Sequence, residues 1–177
     1  IKKIKKWVEK GNTLITIARG SSWAINNELI DENLVESKED STHSRKNYVD
    51  ASGFIGRERI GGVILKADID LTHPIAFGYN DNSIPVYKNN NVFINKTKDD
   101  YSSVAVYSDD FHIDGYISES NRKDYIPGSA SLIISKIGSG RVVVFADNPN
   151  FRGTWYGTNK LFLNAIFLGN NISVPTN

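Results

Sequence analysis

The sequence predicts a mixed α/β domain built on a parallel, doubly wound sheet. Apolar residues recur with the spacing of an amphipathic helix over residues 1–10, and Gly11 follows as a stop signal. Thr13–Ile17 is β-branched and almost wholly apolar, as a strand buried on both faces should be. A second helix is expected over residues 23–29, after a turn at Gly20. Helix, strand and helix in this order are typical of a sheet that is covered on both faces.

Further strands and a closing helix are expected in the rest of the chain. Strands are predicted at 63–69, around Val86, at 92–94, at 103–107, at 131–136 and at 141–145. The last two should form a hairpin, because the four residues between them include two glycines. Residues 155–168 have helical apolar spacing and end at Gly169. The strands between about 61 and 110 are interpreted as a β-rich insertion into the sheet.

The chain length and its first residues suggest how the domain is delimited. All 177 residues fit one domain with a sizeable core. A chain of this pattern that opens with a helix lacks a preceding strand, and the sequence contains no methionine. We therefore expect residues 1–177 to be the C-terminal part of a longer polypeptide. Residues 31–50 are polar, charged and without period, which predicts a mobile loop.

Composition excludes several classes of function. The formal net charge is only +1, so there is no global electrostatic argument for binding nucleic acid. The lysines among residues 2–6 alternate with apolar residues and are interpreted as the solvated face of a helix. No run of about 20 apolar residues is present, so no membrane span is expected. Cysteine is absent, which removes disulfides, thiolate nucleophiles and cysteine metal ligands together.

The turn after the first strand is where a nucleophile would be expected. A sharp turn between strand and helix exposes one side chain beside a helix N-terminus, which stabilises developing negative charge. That position holds Ala18, which has no reactive atom. Ser21 and Ser22 follow, and we interpret them as helix caps, because serine is a preferred cap residue. A weak serine hydrolase that uses one of them with His73 or His112 remains an alternative.

The three histidines do not have the spacing of a zinc site. His43 lies in the charged segment and should be solvated, whereas His73 precedes a proline and should bond to backbone. His112 lies within Asp-Asp-Phe-His-Ile-Asp at 109–114, which resembles a metal cluster only superficially. No two histidines have the close helical spacing of a zinc protease. No metal is therefore expected in this chain, and 109–114 is interpreted as a solvated turn.

Polar residues follow the last predicted strand, where the binding crevices of open α/β sheets lie. Asp147 and Arg152 could bind a polar ligand there. We favour a structural role, in which Asp147 pairs with Arg152 or caps a turn and Phe151 fills the core. The candidate ligand-binding residues of the whole chain are Arg19, Ser21, His73, Asp147, Asn148 and Arg152.

Two longer stretches resemble a known family. One is GGVILKADIDLTHPIAFGY at 61–79, and the other runs from GSAS at 128–131 through GRVVVFADNPNFRGTWYGTNKLFLNAIFLG, which ends at Gly169. These stretches look like the C-terminal region of bacterial zinc carboxypeptidases of the carboxypeptidase A-like superfamily. In those proteins a class I glutamine amidotransferase-like domain follows the peptidase domain. The resemblance implies a partial flavodoxin-like, three-layer sandwich for this chain.

The resemblance also implies that catalytic residues are missing here. Active glutaminase relatives carry a cysteine at the position that corresponds to Ala18, and a histidine with an acid after a late strand. The comparable segment at 146–149 reads Ala-Asp-Asn-Pro, so the general base is lost as well. The zinc ligands of the peptidase (two histidines and a glutamate) and its catalytic glutamate belong to the upstream domain. No position of this chain matches them.

These considerations together predict a non-catalytic accessory domain of a secreted or periplasmic zinc metallocarboxypeptidase. Its partner would be the upstream peptidase domain of the same polypeptide, and zinc would be bound there. The alternative is a module that binds a peptide or a glycan through Asp147, Arg152 and nearby aromatic residues.

Overall fold

A curled, mixed sheet forms the centre of the computed structural model, which describes residues 1–36, 47–99 and 101–173. The strands are β1 (Thr13–Ile17), β2 (Val63–Ile69), β3 (Ser83–Lys88), β4 (Ile94–Asn95), β5 (Ser103–Gly115), β6 (Ser129–Ile137) and β7 (Gly140–Phe145). The helices are α1 (Lys2–Glu9), α2 (Arg19–Asn26), α3 (Tyr48–Glu58) and α4 (Tyr156–Leu168). The strand order is β1-β7-β6-β5-β2-β3, and β4 pairs with β6 beside this path. The mixed α/β class is as predicted.

Strand direction differs from the sequence prediction. Only β1 and β7 run parallel among the described residues, and every other strand pair is antiparallel. The expected parallel sheet is therefore limited to one pair of strands. The reason is local, because β7 returns directly from β6 through a tight hairpin turn at Gly138 and Ser139, which reverses the chain without a helical crossover.

The β1–β7 half of the sheet is covered by helices on both faces. Alternate residues of β7 point to opposite sides, as the pleat of a strand requires. Val142 and Val144 pack in one apolar cluster with Val8 of α1 and Ile25 of α2. Val143 and Phe145, together with Leu161 and Ala165 of α4, belong to a second and larger cluster. Helix, sheet and helix are therefore stacked in three layers here.

The helices show where periodicity predicts structure and where it does not. The helices expected over 1–10 and 155–168 are confirmed as α1 and α4, whereas α2 ends at Asn26, before the expected limit. The predicted loop at 31–50 is wrong at its end, because α3 begins at Tyr48. No residue of α3 is buried, so its sequence carries no core-facing stripe. Residues 37–46 of that predicted loop lie outside the described residues.

Strand β5 is longer than expected and takes up the supposed turn at 109–114. That interpretation is wrong because β5 continues to pair with β2, with register shifts on either side of Leu65. Asp110 pairs with Lys66 of β2, and His112 lies 2.8 Å through Nε2 from the carbonyl oxygen of Gly115. The carboxylates of this segment therefore lie on strand β5 and not in a loop.

Candidate functional site

A single residue, Ala18, forms the turn between β1 and α2. Its backbone has φ 50° and ψ −116°, a conformation that residues other than glycine rarely adopt. Its N–H donates to the carbonyl oxygen of Phe145 at 2.9 Å, and its own carbonyl oxygen accepts from Ser21 N–H at 2.9 Å. This turn lies where the sequence predicts a nucleophile elbow. The side chain at its apex is a methyl group.

Ser21 forms a hydrogen bond between α2 and the sheet and does not cap the helix. The helix begins at Arg19, so Ser21 and Ser22 both lie inside it, and no side chain caps its N-terminus. The capping interpretation is therefore wrong. Ser21 is buried, and its hydroxyl donates to the carbonyl oxygen of Phe145 at 2.7 Å. Its Oγ also lies 3.1 Å from the Oγ1 of Thr16. The hydroxyl is thus held between the ends of β1 and β7.

An open groove of about 610 Å³ begins at the first turn of α2. One side of the groove is formed by Arg19 and Ser22. The other side is formed by Ile55 of α3 and by Arg59, which follows that helix, and the loop at 89–92 closes the groove. Its volume is within the range of ligand pockets. Its lining mixes guanidinium and amide groups with apolar side chains. We refer to it as the elbow groove.

Two asparagines hold the loop of the elbow groove in place. Asn90 donates to the carbonyl oxygen of Ala146 at 3.2 Å and accepts from Val92 N–H at 2.8 Å. Asn91 donates to the carbonyl oxygen of Glu58 at 2.9 Å and accepts from Ile60 N–H at 3.0 Å. The loop is therefore tied both to the end of β7 and to the end of α3, so one wall of the groove is preformed.

A fully buried polar cluster lies just past the end of β7. Lys88 Nζ lies 3.0 Å from Asp147 Oδ1, and the two side chains are 0% and 4% exposed. The second carboxylate oxygen of Asp147 accepts from the Tyr107 hydroxyl and, at 2.9 Å, from Ser131 Oγ. Lys88 also donates to the carbonyl oxygen of Val92 at 2.7 Å. Each polar group of this cluster has a partner, as buried polar groups require.

Burial shifts the proton affinities in this cluster. Desolvation lowers the pKa of Lys88, and the neighbouring Asp147 carboxylate opposes that shift. Desolvation, reinforced by the same carboxylate, raises the pKa of the Tyr107 hydroxyl well above its usual range. The phenol therefore stays protonated and continues to donate its hydrogen bond to Asp147. This arrangement holds the carboxylate as a structural acceptor.

Asp147 therefore pairs with Lys88, and the expected pairing with Arg152 is wrong. Arg152 is exposed, has φ 52°, and lies with its guanidinium carbon 5.3 Å from the ring centre of Phe151. Phe151 does not fill the core, because it is half-buried and stacks on Tyr87 at 4.0 Å between ring centres. The neighbouring Asn148 side chain accepts from Asn150 N–H at 3.0 Å and so shapes the turn.

The sequence reading missed Lys88 and Tyr107. A signal for Lys88 exists, since it alternates with the buried residues Ile84 and Val86 along β3. A lysine at the third such position faces the core unless the strand ends before it. Tyr107 shares the buried face of β5 with Ala105, but nothing in its local sequence indicates a carboxylate partner forty positions away. Only the pairing of distant strands brings the two together.

His73 has the backbone role that the sequence predicts. Its Nδ1 accepts from Ile75 N–H at 3.1 Å at the start of a short 3₁₀ turn, Pro74–Ala76. Burial lowers its pKa, and Asp70 partly opposes that shift. No hydrogen bond among the described residues joins His73 or His112 to Ser21. His43 lies outside the described residues.

Comparisons of the chain with protein-family models, with curated proteins and with solved structures find no match. Within residues 1–36, 47–99 and 101–173, no group of three or more histidine, cysteine, aspartate or glutamate side chains could hold a metal ion. No helix in the same ranges is long and apolar enough to cross a membrane.

Proposed function

We propose that this chain is a non-catalytic accessory domain of a secreted or periplasmic zinc metallocarboxypeptidase. One observation carries the proposal: Ala18 has the backbone of a nucleophile elbow but only a methyl group at its apex. Strained backbone conformations of this kind cluster at functional sites. The resemblance to class I glutamine amidotransferase-like domains provides the reason, since their cysteine corresponds to this position.

The surroundings of Ala18 support the loss of catalysis. Ser21 lies in the first turn of α2, and its N–H donates to the carbonyl oxygen of Ala18, but its hydroxyl is buried and bonded to the carbonyl oxygen of Phe145. Asp147 follows β7, where an amidotransferase would hold its histidine and acid. It is bonded to Lys88, Tyr107 and Ser131 instead. A serine hydrolase would need these contacts to be broken before any histidine could accept the proton of Ser21.

The three-layer arrangement around β1 and β7 supports a relation to flavodoxin-like sandwiches. Helices α1 and α2 cover one face of this half of the sheet, and α4 covers the other. The antiparallel strands β2, β3 and β5 extend it as the β-rich part. In the proposal the zinc ion belongs to the upstream peptidase domain, and this chain contributes no ligand to it. Its role is to pack on that domain, stabilise it or help to target it.

The first test is the size of the native protein. We expect an antibody raised against this chain to detect a polypeptide far larger than 19.7 kDa in the source organism. The immunoprecipitated protein should remove C-terminal residues from peptides and lose that activity with a zinc chelator. A native band at 19.7 kDa, or a larger protein without chelator-sensitive carboxypeptidase activity, would contradict the proposal.

The second test concerns catalysis by the chain itself. We expect the purified chain to leave ester, amide and glutamine substrates unhydrolysed. Ser21→Ala and Ser22→Ala variants provide the controls for any trace activity. Hydrolysis by the parent chain that either substitution abolishes would establish the serine hydrolase alternative and refute the non-catalytic role.

A second candidate function is a peptide- or glycan-binding module. The specific observation is an aromatic group at the β3 edge, in which Tyr87 stacks on Phe151 and lies 5.9 Å from the ring centre of Trp155. Arg152 lies against Phe151 and is exposed. Asp147 is buried in its own ion pair and contributes nothing to this surface. Saturable binding to a peptide or glycan panel that Arg152→Ala weakens and Arg57→Ala does not would favour this function.

A further inference from the structure

The free edge of the sheet at β1 lies in a slot between two helices. A groove of about 250 Å³ runs beside the strand, with Thr13 and Ile15 at its base. Trp7 of α1 forms one wall, and Ala165 and Ile166 of α4 form the other. The exposed fraction is 48% for Trp7 and 50% for Ile166, so both walls present apolar surface to solvent. We call this feature the β1 slot.

The backbone of β1 offers hydrogen bonds toward the slot. In a parallel pair the backbone groups of alternate residues point to opposite sides of the strand. Asn12 accepts from Arg141 N–H at 3.2 Å, and Ala18 donates to the carbonyl oxygen of Phe145 at 2.9 Å. The even-numbered residues therefore face β7. The N–H and C=O groups of Thr13, Ile15 and Ile17 point away from it, and among the described residues β1 pairs with no other strand.

The two edges of the sheet are protected differently. At the opposite edge, β3 carries Pro85, and Trp155 Nε1 donates to the carbonyl oxygen of that proline at 3.1 Å. Proline and covering side chains are the usual means of blunting an edge strand. β1 has the sequence Thr-Leu-Ile-Thr-Ile, without a charge or a proline. At one end of the slot the Thr13 hydroxyl donates to Asn170 Oδ1 at 2.9 Å. An uncharged, proline-free edge between the side chains of Trp7 and Ile166 has the properties of a site for strand addition.

The positive charge of helix α1, which forms one wall of the slot, favours an acidic partner. Helix α1 carries Lys2, Lys3, Lys5 and Lys6, and its only acidic residue is Glu9. No carboxylate within the described residues forms an ion pair with Lys2, Lys3 or Lys6. Two copies joined edge to edge through β1 would bring two such helices together, which like charge disfavours. An acidic segment would instead be attracted.

We propose that the β1 slot binds an extended segment of another polypeptide, in which apolar residues alternate with acidic ones. The segment adds as a further strand beside β1, with its backbone bonded to Thr13, Ile15 and Ile17. Its apolar side chains all point to one face and pack against Ile166 on the α4 side, and its carboxylates point to the α1 side, toward the lysines of that helix. This inference is independent of whether the partner is a peptidase.

The test uses a nine-residue, end-blocked peptide of alternating valine and glutamate. On titration into the ¹⁵N-labelled chain, amide exchange should slow at Thr13, Ile15 and Ile17, whose N–H groups face the slot. The amides of Leu14 and Thr16 face β7 and should change little. A peptide with lysine in place of glutamate should bind about tenfold or more weakly, as should one methylated at alternate backbone nitrogens.

Variants of the chain separate the backbone and charge contributions. Ile15→Pro removes one outward N–H without removing a bond to β7, and it should abolish the protection of Thr13 and Ile17. The exposed pair Lys2→Glu and Lys6→Glu should reverse the preference between the acidic and basic peptides. A pair of the same charge change elsewhere, Lys96→Glu and Lys98→Glu, should leave that preference unaltered, and it controls for any effect of net charge.

Three outcomes would overturn the proposal. One is a peptide titration in which the exchange of Thr13, Ile15 and Ile17 stays constant while the chain is folded. Another is equal binding of the acidic and basic peptides. The third is a dimer in sedimentation experiments that Ile15→Pro dissociates, because a second copy would then occupy the slot.

Discussion

The ammonium group of Lys88 lies 3.0 Å from the carboxylate of Asp147, and the pair joins the end of β3 to the residues after β7 across the interior of the curled sheet. Removing one member of a buried pair leaves the other charge without compensation. Loss of either member should therefore weaken the contact between the end of β3 and the segment that follows β7.

Lys88→Met should lower the free energy of unfolding by about 3–5 kcal/mol, because it leaves the Asp147 carboxylate buried and uncompensated. Asp147→Asn should also destabilise the domain, since it leaves the buried Lys88 cation without a counterion. The double variant should cost less than the sum of the two, because it leaves no uncompensated buried charge, and the amide of Asn at position 147 can still accept from Tyr107 and Ser131. Urea unfolding of the four proteins measures this coupling. Strictly additive losses would contradict a direct interaction of the two charges.

Ala18→Gly should stabilise the domain by about 1 kcal/mol. Glycine relieves the strain at φ 50°, and this gain exceeds the extra entropy that glycine gives the unfolded chain. Thermal and urea unfolding give the difference. Ala51→Gly, which lies within α3, provides the matched control and should lower stability by about 1 kcal/mol. A loss of stability in both variants would mean that the turn at Ala18 is unstrained.

Gly140→Ala should destabilise the domain by at least about 3 kcal/mol, near the upper end for overpacking. A Cβ atom at this position would lie 1.9 Å from the carbonyl oxygen of Val8 and 2.5 Å from that of Asn12. The hairpin and α1 would have to separate. Gly53→Ala in α3 meets no atom within 4 Å and should instead stabilise by about 0.5–1 kcal/mol. Urea midpoints of the two variants test the contrast, and similar shifts would contradict it.

Acid should destabilise the domain through His73. Burial holds its pKa below the ordinary value of 6.5, so below that pH the unfolded chain takes up a proton that the folded domain does not. The resulting stability is fully present above pH 6.5 and is lost as the pH falls through the lowered value. His73→Asn can still accept from Ile75 N–H and should reduce this dependence.

The measurement is a series of urea unfolding curves between pH 7.5 and 5. The same substitution at His112, which contacts the carbonyl oxygen of Gly115, provides the control. If His112→Asn removed the dependence on pH and His73→Asn kept it, the assignment to His73 would be wrong.

Local sequence predicts those strands and helices whose core-facing side chains recur with the period of a strand or of a helix. The bounds of β1 and β2 agree with the prediction because β1 is rich in β-branched residues, which favour strands, and β2 alternates buried with more exposed positions. Helix α3 escapes prediction because it buries no side chain. Strand direction escapes it for another reason, since the antiparallel pairing of β2 with β5 and of β5 with β6 depends on contacts between segments that are far apart in the chain.

The candidate site divides in the same way. The turn at Ala18 follows from a buried strand that meets a helix, and His73 follows from the proline after it. The contact of Asp147 with Lys88 does not, because alternation along β3 indicates only that Lys88 faces the core and does not identify its partner. Lys88 is completely buried, since three acceptors surround its ammonium group: Val92 from the following loop, and Tyr107 and Asp147 from more distant segments.

The parallel pairing of β1 with β7 also has a consequence for biosynthesis. β1 is made near the beginning of this chain, but its partner emerges only after residue 140. Until then both edges of an apolar strand are exposed on the nascent polypeptide. Such long-range pairing is slow and leaves the intermediate prone to aggregation. The domain should therefore depend on chaperones during translation, and should acquire its protease resistance only when synthesis of this region is nearly complete.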